Sequence, residues 1–195
     1  MKKMLSEIAD ISSGLVVSRK KASVGAKETY QYTQLNLRAL NKNCYFDLDE
    51  AETLYAVEEL SPEYLTKEKD IVMRMTEPFT AVYVSKDYEN LVVSSNFCII
   101  RNSKINPEFL CYYLNSDIVK RSLFNNLQGN LIKSISMVPI KNLEVPMLDD
   151  GVQEKYAALF SAETEKIKTL SSLIKLEEKR LRIIMEKLSE EWFLW

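Results

Sequence analysis

The chain has 195 residues, 46 % of them hydrophobic and 10 % aromatic, with 26 Lys and Arg against 28 Asp and Glu for a net charge of −2. That length suits one ordinary domain plus an appendage, and no apolar run approaches the roughly 18 residues that cross a bilayer. The absence of histidine excludes a histidine zinc site and any Ser-His or Cys-His pair, and the four glycines, Gly14, Gly25, Gly129 and Gly151, assemble neither a P-loop nor a GxGxxG fingerprint.

A stand-alone enzyme is therefore disfavoured. Glu7 interrupts the stretch where a signal peptide needs unbroken apolar residues, so a cytoplasmic protein is expected. Cys44, Cys98 and Cys111 are widely spaced among apolar or aromatic neighbours and read as buried thiols. The small net negative charge argues mildly against nucleic acid, but its distribution is uneven. Through Tyr45 there are eight Lys or Arg against three Asp or Glu, and from Phe46 to Asp70 two against nine. Separate basic and acidic surfaces, one for DNA and one for protein, are one reading; solvated loops are the other.

In chain order, Tyr30 to Leu37 alternates, Asp70 to Met75 and Phe79 to Val84 are rich in β-branched and aromatic residues, and Leu91 to Ile100 is an apolar run broken at Ser94 to Asn96. These predict four strands of a curled sheet. Asn106-Pro107-Glu108 supplies an N-cap, a proline at the first helical position and a first-turn carboxylate, predicting a helix through Leu114. A second helix is expected from Asp117 to Leu127, stopped by Gln128-Gly129-Asn130.

The clear boundary is Pro146 to Gly151. Beyond it Asp150 can cap a helix, with Gln153 placed to reach back to the cap, and no further proline or glycine follows. Phe160, Ile167, Ile174, Leu181 and Leu188 recur at sevens as a positions. Tyr156, Glu163, Leu170, Glu177 and Ile184 take the d positions, three of them apolar. Such a seam predicts a coiled coil. The fold class expected is α+β: a curled mixed sheet with packed helices over 1–148, then one long coiled-coil helix over 149–195.

A helix of roughly 40 residues is about 60 Å long, so most of it is expected to project, with no second long helix in the chain to cover its seam. A homodimer through Phe160, Ile167, Leu170, Ile174, Leu181, Ile184 and Leu188 is therefore expected. In a parallel pair in register, Glu163 and Glu177 would each meet their own copies, which favours the antiparallel arrangement; Lys166, Arg180 and Lys187 at g positions leave the choice open.

Several segments together carry a resemblance. They are Leu5–Gly14, Lys69-Asp70-Ile71-Val72, Pro107–Leu114, Gln128-Gly129-Asn130, Lys133–Ser136, Leu143-Glu144-Val145-Pro146 and Gln153 ahead of a long helix. In this order the chain resembles the specificity subunit of type I restriction-modification systems, over nearly its whole length. That family's subunit usually has two target recognition domains and two spacer helices; one of each here implies a half-subunit. The resemblance implies a non-catalytic, sequence-specific DNA-binding subunit that dimerises to read two inverted copies of a short sequence across an unread gap. It also implies methyltransferase subunits that carry S-adenosylmethionine and modify adenine, with a nuclease-translocase as a further partner. No cofactor is expected in this chain. The competing reading is a coiled-coil adaptor or decoy that joins the methyltransferase without reading sequence. Two departures stand out: Met73–Pro78 lacks the family's serine and glycine, and the proline-rich run before Gln153 is reduced to Pro146-Met147-Leu148.

Candidate DNA contacts follow from loop position. Arg19, Lys20, Lys21 and Lys27 flank Gly25 and could grip phosphate, or merely solvate a flexible loop. Arg74 and Thr76 lie between two strands and could reach bases, unless Arg74 only pairs with Glu77. Gln128, Asn130 and Lys133 form a polar turn whose amides could read adenine, or simply end a helix. The apolar end, Trp192-Phe193-Leu194-Trp195, is expected to dock on the dimer itself or on the methyltransferase.

Overall fold

The computed structural model describes residues 1–23, 26, 29–127 and 134–192, with side chains through 189. In chain order they form β1 (Lys2–Met4), α1 (Leu5–Ile8), β2 (Asp10–Ser13), β3 (Tyr30–Leu35), β4 (Glu52–Ala56), β5 (Ile71–Arg74), β6 (Ala81–Tyr83), β7 (Val92–Val93), β8 (Phe97–Arg101), α2 (Pro107–Leu114), α3 (Asp117–Asn125), α4 (Met137–Lys141), β9 (Glu144–Pro146) and α5 (Asp150–Trp192). Short 3-10 turns lie at Val17–Arg19, Leu48–Glu50, Pro62–Tyr64 and Lys86–Tyr88. The architecture is α+β with a long final helix, as the sequence implies. No described helix is long and apolar enough to cross a membrane.

The strands form three sheets rather than one curled sheet. The antiparallel order β2-β8-β5-β6 is the central layer, β4-β3-β7 is a second sheet, and β1 pairs with β9. The predicted strands therefore divide between layers: β3 pairs in parallel with β7, while β5, β6 and β8 stay together. The break at Ser94 to Asn96 is the point where the chain leaves one sheet for the other.

The central sheet is buried on both faces, which explains its unbroken apolar runs. Ile71, Met73, Cys98 and Ile100 point to one side, where they pack with Phe109, Leu110 and Leu114 of α2, Val119 and Leu123 of α3, and Ile140 of α4. The intervening Val72, Phe97 and Ile99 point to the other, against Leu35 of β3 and Val93 of β7. This period of two sorts one apolar run into two cores. Cys98 and Cys111 are buried, and burial pushes the Cys98 thiol up to about 12, while Cys44 is half-buried.

Polar links join the layers. The Asn106 side chain accepts from the Phe109 N–H at 3.0 Å, capping α2 as its sequence predicts. At the other end of α2, Asn115 accepts from the Ala81 N–H at 3.0 Å and donates to the Ala81 carbonyl at 2.8 Å, occupying both backbone groups of Ala81 on the edge strand β6. Asp70 accepts from Arg101 Nε at 3.0 Å and from the Lys67 N–H at 2.8 Å. Both partners of that ion pair are largely buried, and Arg101 also donates to the carbonyls of Glu63 and Leu65.

α5 starts with the Asp149 carbonyl accepting from the Val152 and Gln153 N–H groups, one residue ahead of the expected cap. Gln153 does not turn back to the cap. Only 3 % exposed, it accepts from the Asn106 N–H at 2.9 Å and donates to the Leu148 carbonyl at 2.7 Å, tying α5 to the start of α2. From there the helix runs along its own domain instead of projecting for most of its length. Tyr156 stacks on Tyr112 of α2 with centroids 5.9 Å apart, and Phe160 meets the same ring edge-on at 5.5 Å. Further along, Lys168 lies 5.6 Å from the centre of the Tyr88 ring, and Lys175 reaches Asp47 at 2.6 Å.

Two consequences can be measured by urea denaturation. Gln153→Ala strands two backbone groups at the α2–α5 junction and is expected to cost about 2–4 kcal/mol. Asp70→Asn leaves the buried Arg101 cation without its counter-charge and is expected to cost about 3–5 kcal/mol with little change in the denaturant slope.

Candidate nucleic-acid interface

The charge asymmetry along the sequence is folded away in part. β3 and β4 form an antiparallel pair, so flanking basic and acidic segments come together. Lys20 pairs with Glu58, Arg38 with Glu50 at 3.5 Å, and Lys175 with Asp47. Within this region Lys20 and Arg38 are thus paired with the acidic segment.

Lys20 and Lys21 do not sit in a free loop. The Lys20 carbonyl accepts from Val57 N–H, the Ala22 N–H donates to the Tyr55 carbonyl, and Lys21 bridges Ala56, so this backbone runs along the outer edge of β4. Arg19 is exposed at the end of the Val17–Arg19 turn. Lys27, Gln128, Asn130 and Lys133 lie outside the described residues, as do Phe193 to Trp195 and the Trp192 side chain.

Arg74 is half-buried at the end of β5. Its Nη1 donates to the Leu37 carbonyl at 3.2 Å and its Nη2 to Thr76 Oγ1 at 3.4 Å, while its Nε is buried without a partner among the described residues. Burial lowers its pKa. Thr76 bridges Ser134, which brings the 74–76 segment next to the end of the predicted polar turn. Arg74 therefore acts first on its own neighbours, and the structure gives it Leu37 and Thr76 where the sequence suggested Glu77.

Beside Arg74 lies a polar trough of about 500 Å³. Its walls are the Val16 to Ser18 turn, the end of β3 with the following Asn36 to Arg38, Glu52 of β4, and the Ser94 to Asn96 turn. Sequence position had not marked Gln34, Asn36 or Asn96, because nothing in a linear reading brings positions 16, 36 and 95 together. Their one visible signal was the polar break in the Leu91–Ile100 run.

The trough's geometry is fixed by backbone packing. The Leu15 N–H donates to the Val93 carbonyl and the Ser95 N–H to the Leu15 carbonyl, both at 2.8 Å. Gly14 passes so close that a Cβ there would lie 2.2 Å from the Ser94 carbonyl oxygen, a separation only glycine avoids. Asn36 is fully committed. Its Nδ2 donates to the Glu50 carbonyl and Glu52 Oε1, and its Oδ1 accepts from the Arg38 and Ala39 N–H groups.

The α5 seam is presented differently. The side of α5 against the domain carries Gln153, Ala157, Phe160, Thr164, Lys168, Ser171 and Lys175, spaced three or four apart. Of the predicted interface residues only Phe160 belongs to that side. Ile167, Leu170, Ile174, Leu181, Ile184 and Leu188 remain exposed, at 37 % for Ile167 and 54 % for Leu188. Glu163 and Glu177 have local partners, Lys166 at 3.8 Å and Arg180 at 3.7 Å. Among the described residues no group of carboxylates and thiols could hold a metal ion.

A family model described as the type I restriction modification DNA specificity domain matches residues 1–180. No curated protein matches the sequence. Solved structures with a similar fold include a chain from a study of complex assembly and conformational transition of the type I R-M system, 16 % identical with a TM-score of 0.64 over 89 % of this chain and 44 % of that one. The HsdS subunit from Thermoanaerobacter tengcongensis is 16 % identical, with a TM-score of 0.63 over 95 % of this chain and 47 % of its own. The S subunit of the type I restriction-modification system of M. genitalium is 17 % identical, with a TM-score of 0.60 over 92 % and 42 %. This chain spans less than half the length of each. With the family model covering all but the last turns of α5, the chain belongs to the family of type I restriction-modification DNA specificity domains.

Proposed function

We propose that this chain is one half of a DNA sequence-reading subunit: two copies join through α5, and each presents one recognition domain to one half of an inverted, split target. The observation that carries this reading is the exposed seam. Ile167, Leu170, Ile174, Leu181, Ile184 and Leu188 repeat along one side of α5, while the domain lies against a different, largely polar side. Burying four such side chains per copy contributes on the order of 6–12 kcal/mol before entropy, enough for association.

An antiparallel pairing keeps Glu163 and Glu177 away from their own copies. Their i,i+3 partners Lys166 and Arg180 are exposed, so these pairs offset little of that repulsion. The twofold axis of such a dimer makes the two half-sites identical and inverted. In this proposal the chain contributes recognition. The adenine methyl transfer belongs to methyltransferase subunits that bring S-adenosylmethionine, and a nuclease-translocase is a further partner. The apolar end of the chain, Trp192 to Trp195, contributes to docking on the dimer or on the methyltransferase.

The pairing of Lys20 with Glu58 favours a second reading, an adaptor that joins the methyltransferase without reading DNA, because it removes one expected phosphate contact. Two measurements separate them. Light scattering of the purified chain at micromolar concentration is expected to give a dimer, and Leu170→Glu with Leu181→Glu a monomer; a wild-type monomer overturns the architecture. Adenine-methylation mapping after co-expression with a methyltransferase of this family is expected to give one symmetric split motif that disappears without the chain. Assembly with the methyltransferase but no motif selects the adaptor.

A further inference from the structure

We propose that base identity is read at the polar trough beside Arg74, with Gln34 and Asn96 as specificity-determining side chains; this deepens, and rests on, the reading of the domain as a DNA binder. The three amides of the trough divide by their hydrogen bonds. Asn36 spends both ends of its amide holding the Asn36 to Arg38 turn against β4 and the residues before it. Gln34 and Asn96 line the same trough, and neither side chain has a hydrogen bond or ion pair among the described residues. A free carboxamide offers an adjacent donor and acceptor, the pattern that matches adenine N7 and N6 in the major groove.

Both residues sit on backbone that cannot drift. Gln34 is in the middle strand of its sheet, opposite Glu52 on one side and Val92 on the other. Asn96 closes a turn held by the Phe97 N–H on the Ser94 carbonyl at 3.0 Å, and its own carbonyl accepts from the Met75 N–H at 3.0 Å. Gly14 packs against the same turn from below. A side chain that discriminates bases needs a fixed origin, and here two uncommitted amides have one.

The wall of the trough holds one carboxylate, Glu52, whose Oε1 already accepts from Asn36. Arg74, bonded to Leu37 in that wall, has an Nε without a partner among the described residues. Ser94, 5 % exposed and lining the trough, has a hydroxyl with no partner among the described residues. A guanidinium with an unsatisfied N–H, in partly desolvated surroundings, attracts a ligand edge rich in acceptors such as purine N7 and O6. Of the residues that line the trough Arg38 alone is a Lys or Arg, and it pairs with Glu50, so the chemistry of the trough matches base edges better than phosphate.

The test uses the full chain co-expressed with its methyltransferase. Wild type, Gln34→Ala, Asn96→Ala and the control Lys20→Ala are each mapped for methylated adenine, and each purified chain is checked by thermal melting. Gln34→Ala and Asn96→Ala are each expected to relax the motif at one position per half-site. Preference for the cognate base there should fall about ten- to a hundredfold in competition binding, with melting unchanged. Should either alanine variant melt early, Gln34→Glu and Asn96→Asp, which keep the shape and remove the donor, take its place with the same expectation. An unchanged motif, or weakening equal across all sequences, overturns the inference while leaving DNA reading by the domain intact. A wild-type chain that yields no motif overturns both.

Discussion

The rotational phase of α5 is the constraint on which the rest depends. An α-helix turns 100° per residue, so a helix fixed at one buried position has the direction of every later side chain decided. Gln153 supplies that fixed point: its amide satisfies the Asn106 N–H and the Leu148 carbonyl in the interior, and no other rotation of the helix does so. Ala157 then follows it into the core, and the line continues through Thr164, Lys168 and Lys175. The apolar seam is left facing away, available to another molecule. The same helix with its seam turned inward would bury more apolar surface within one chain and have nothing to offer a partner.

The far end of that contact is held by charge. Lys175 lies between Asp47 and Asp49, and Lys168 lies over Tyr88, so the acidic turn that looked like a separate surface in the sequence is a support for α5. Exposed pairs of this kind contribute little stability on their own. Their role here is to fix an orientation already chosen by the buried glutamine and the Tyr112, Tyr156 and Phe160 rings.

The segments that carry the family resemblance prove to be frame more than contact surface. Asp70 in Lys69-Asp70-Ile71-Val72 anchors Arg101, and Phe109, Leu110 and Leu114 of Pro107–Leu114 are core. Leu143 and Val145 are core as well, and β9 pairs with β1. Gly14 serves a close backbone approach. Such residues are set by packing within the domain. The side chains proposed to read bases at the trough would answer to a ligand instead, and the trough's lining comes from four distant parts of the chain.

Local and periodic features were legible in the amino-acid sequence. Asn106-Pro107-Glu108 announced α2 because capping needs only residues within one turn, and the heptad over Phe160 to Leu188 announced α5 because its period is that of the helix itself. Strands β5 and β8 were visible from their apolar density. Their two-sided burial was not, because it depends on which layers lie above and below. The division of the strands into three sheets, the course of α5 along its own domain, the pairing of Lys20 with Glu58 and the trough between Gln34 and Asn96 were decided by tertiary structure alone. Each rests on contacts between residues tens of positions apart, and periodicity and capping chemistry reach only a few residues along the chain.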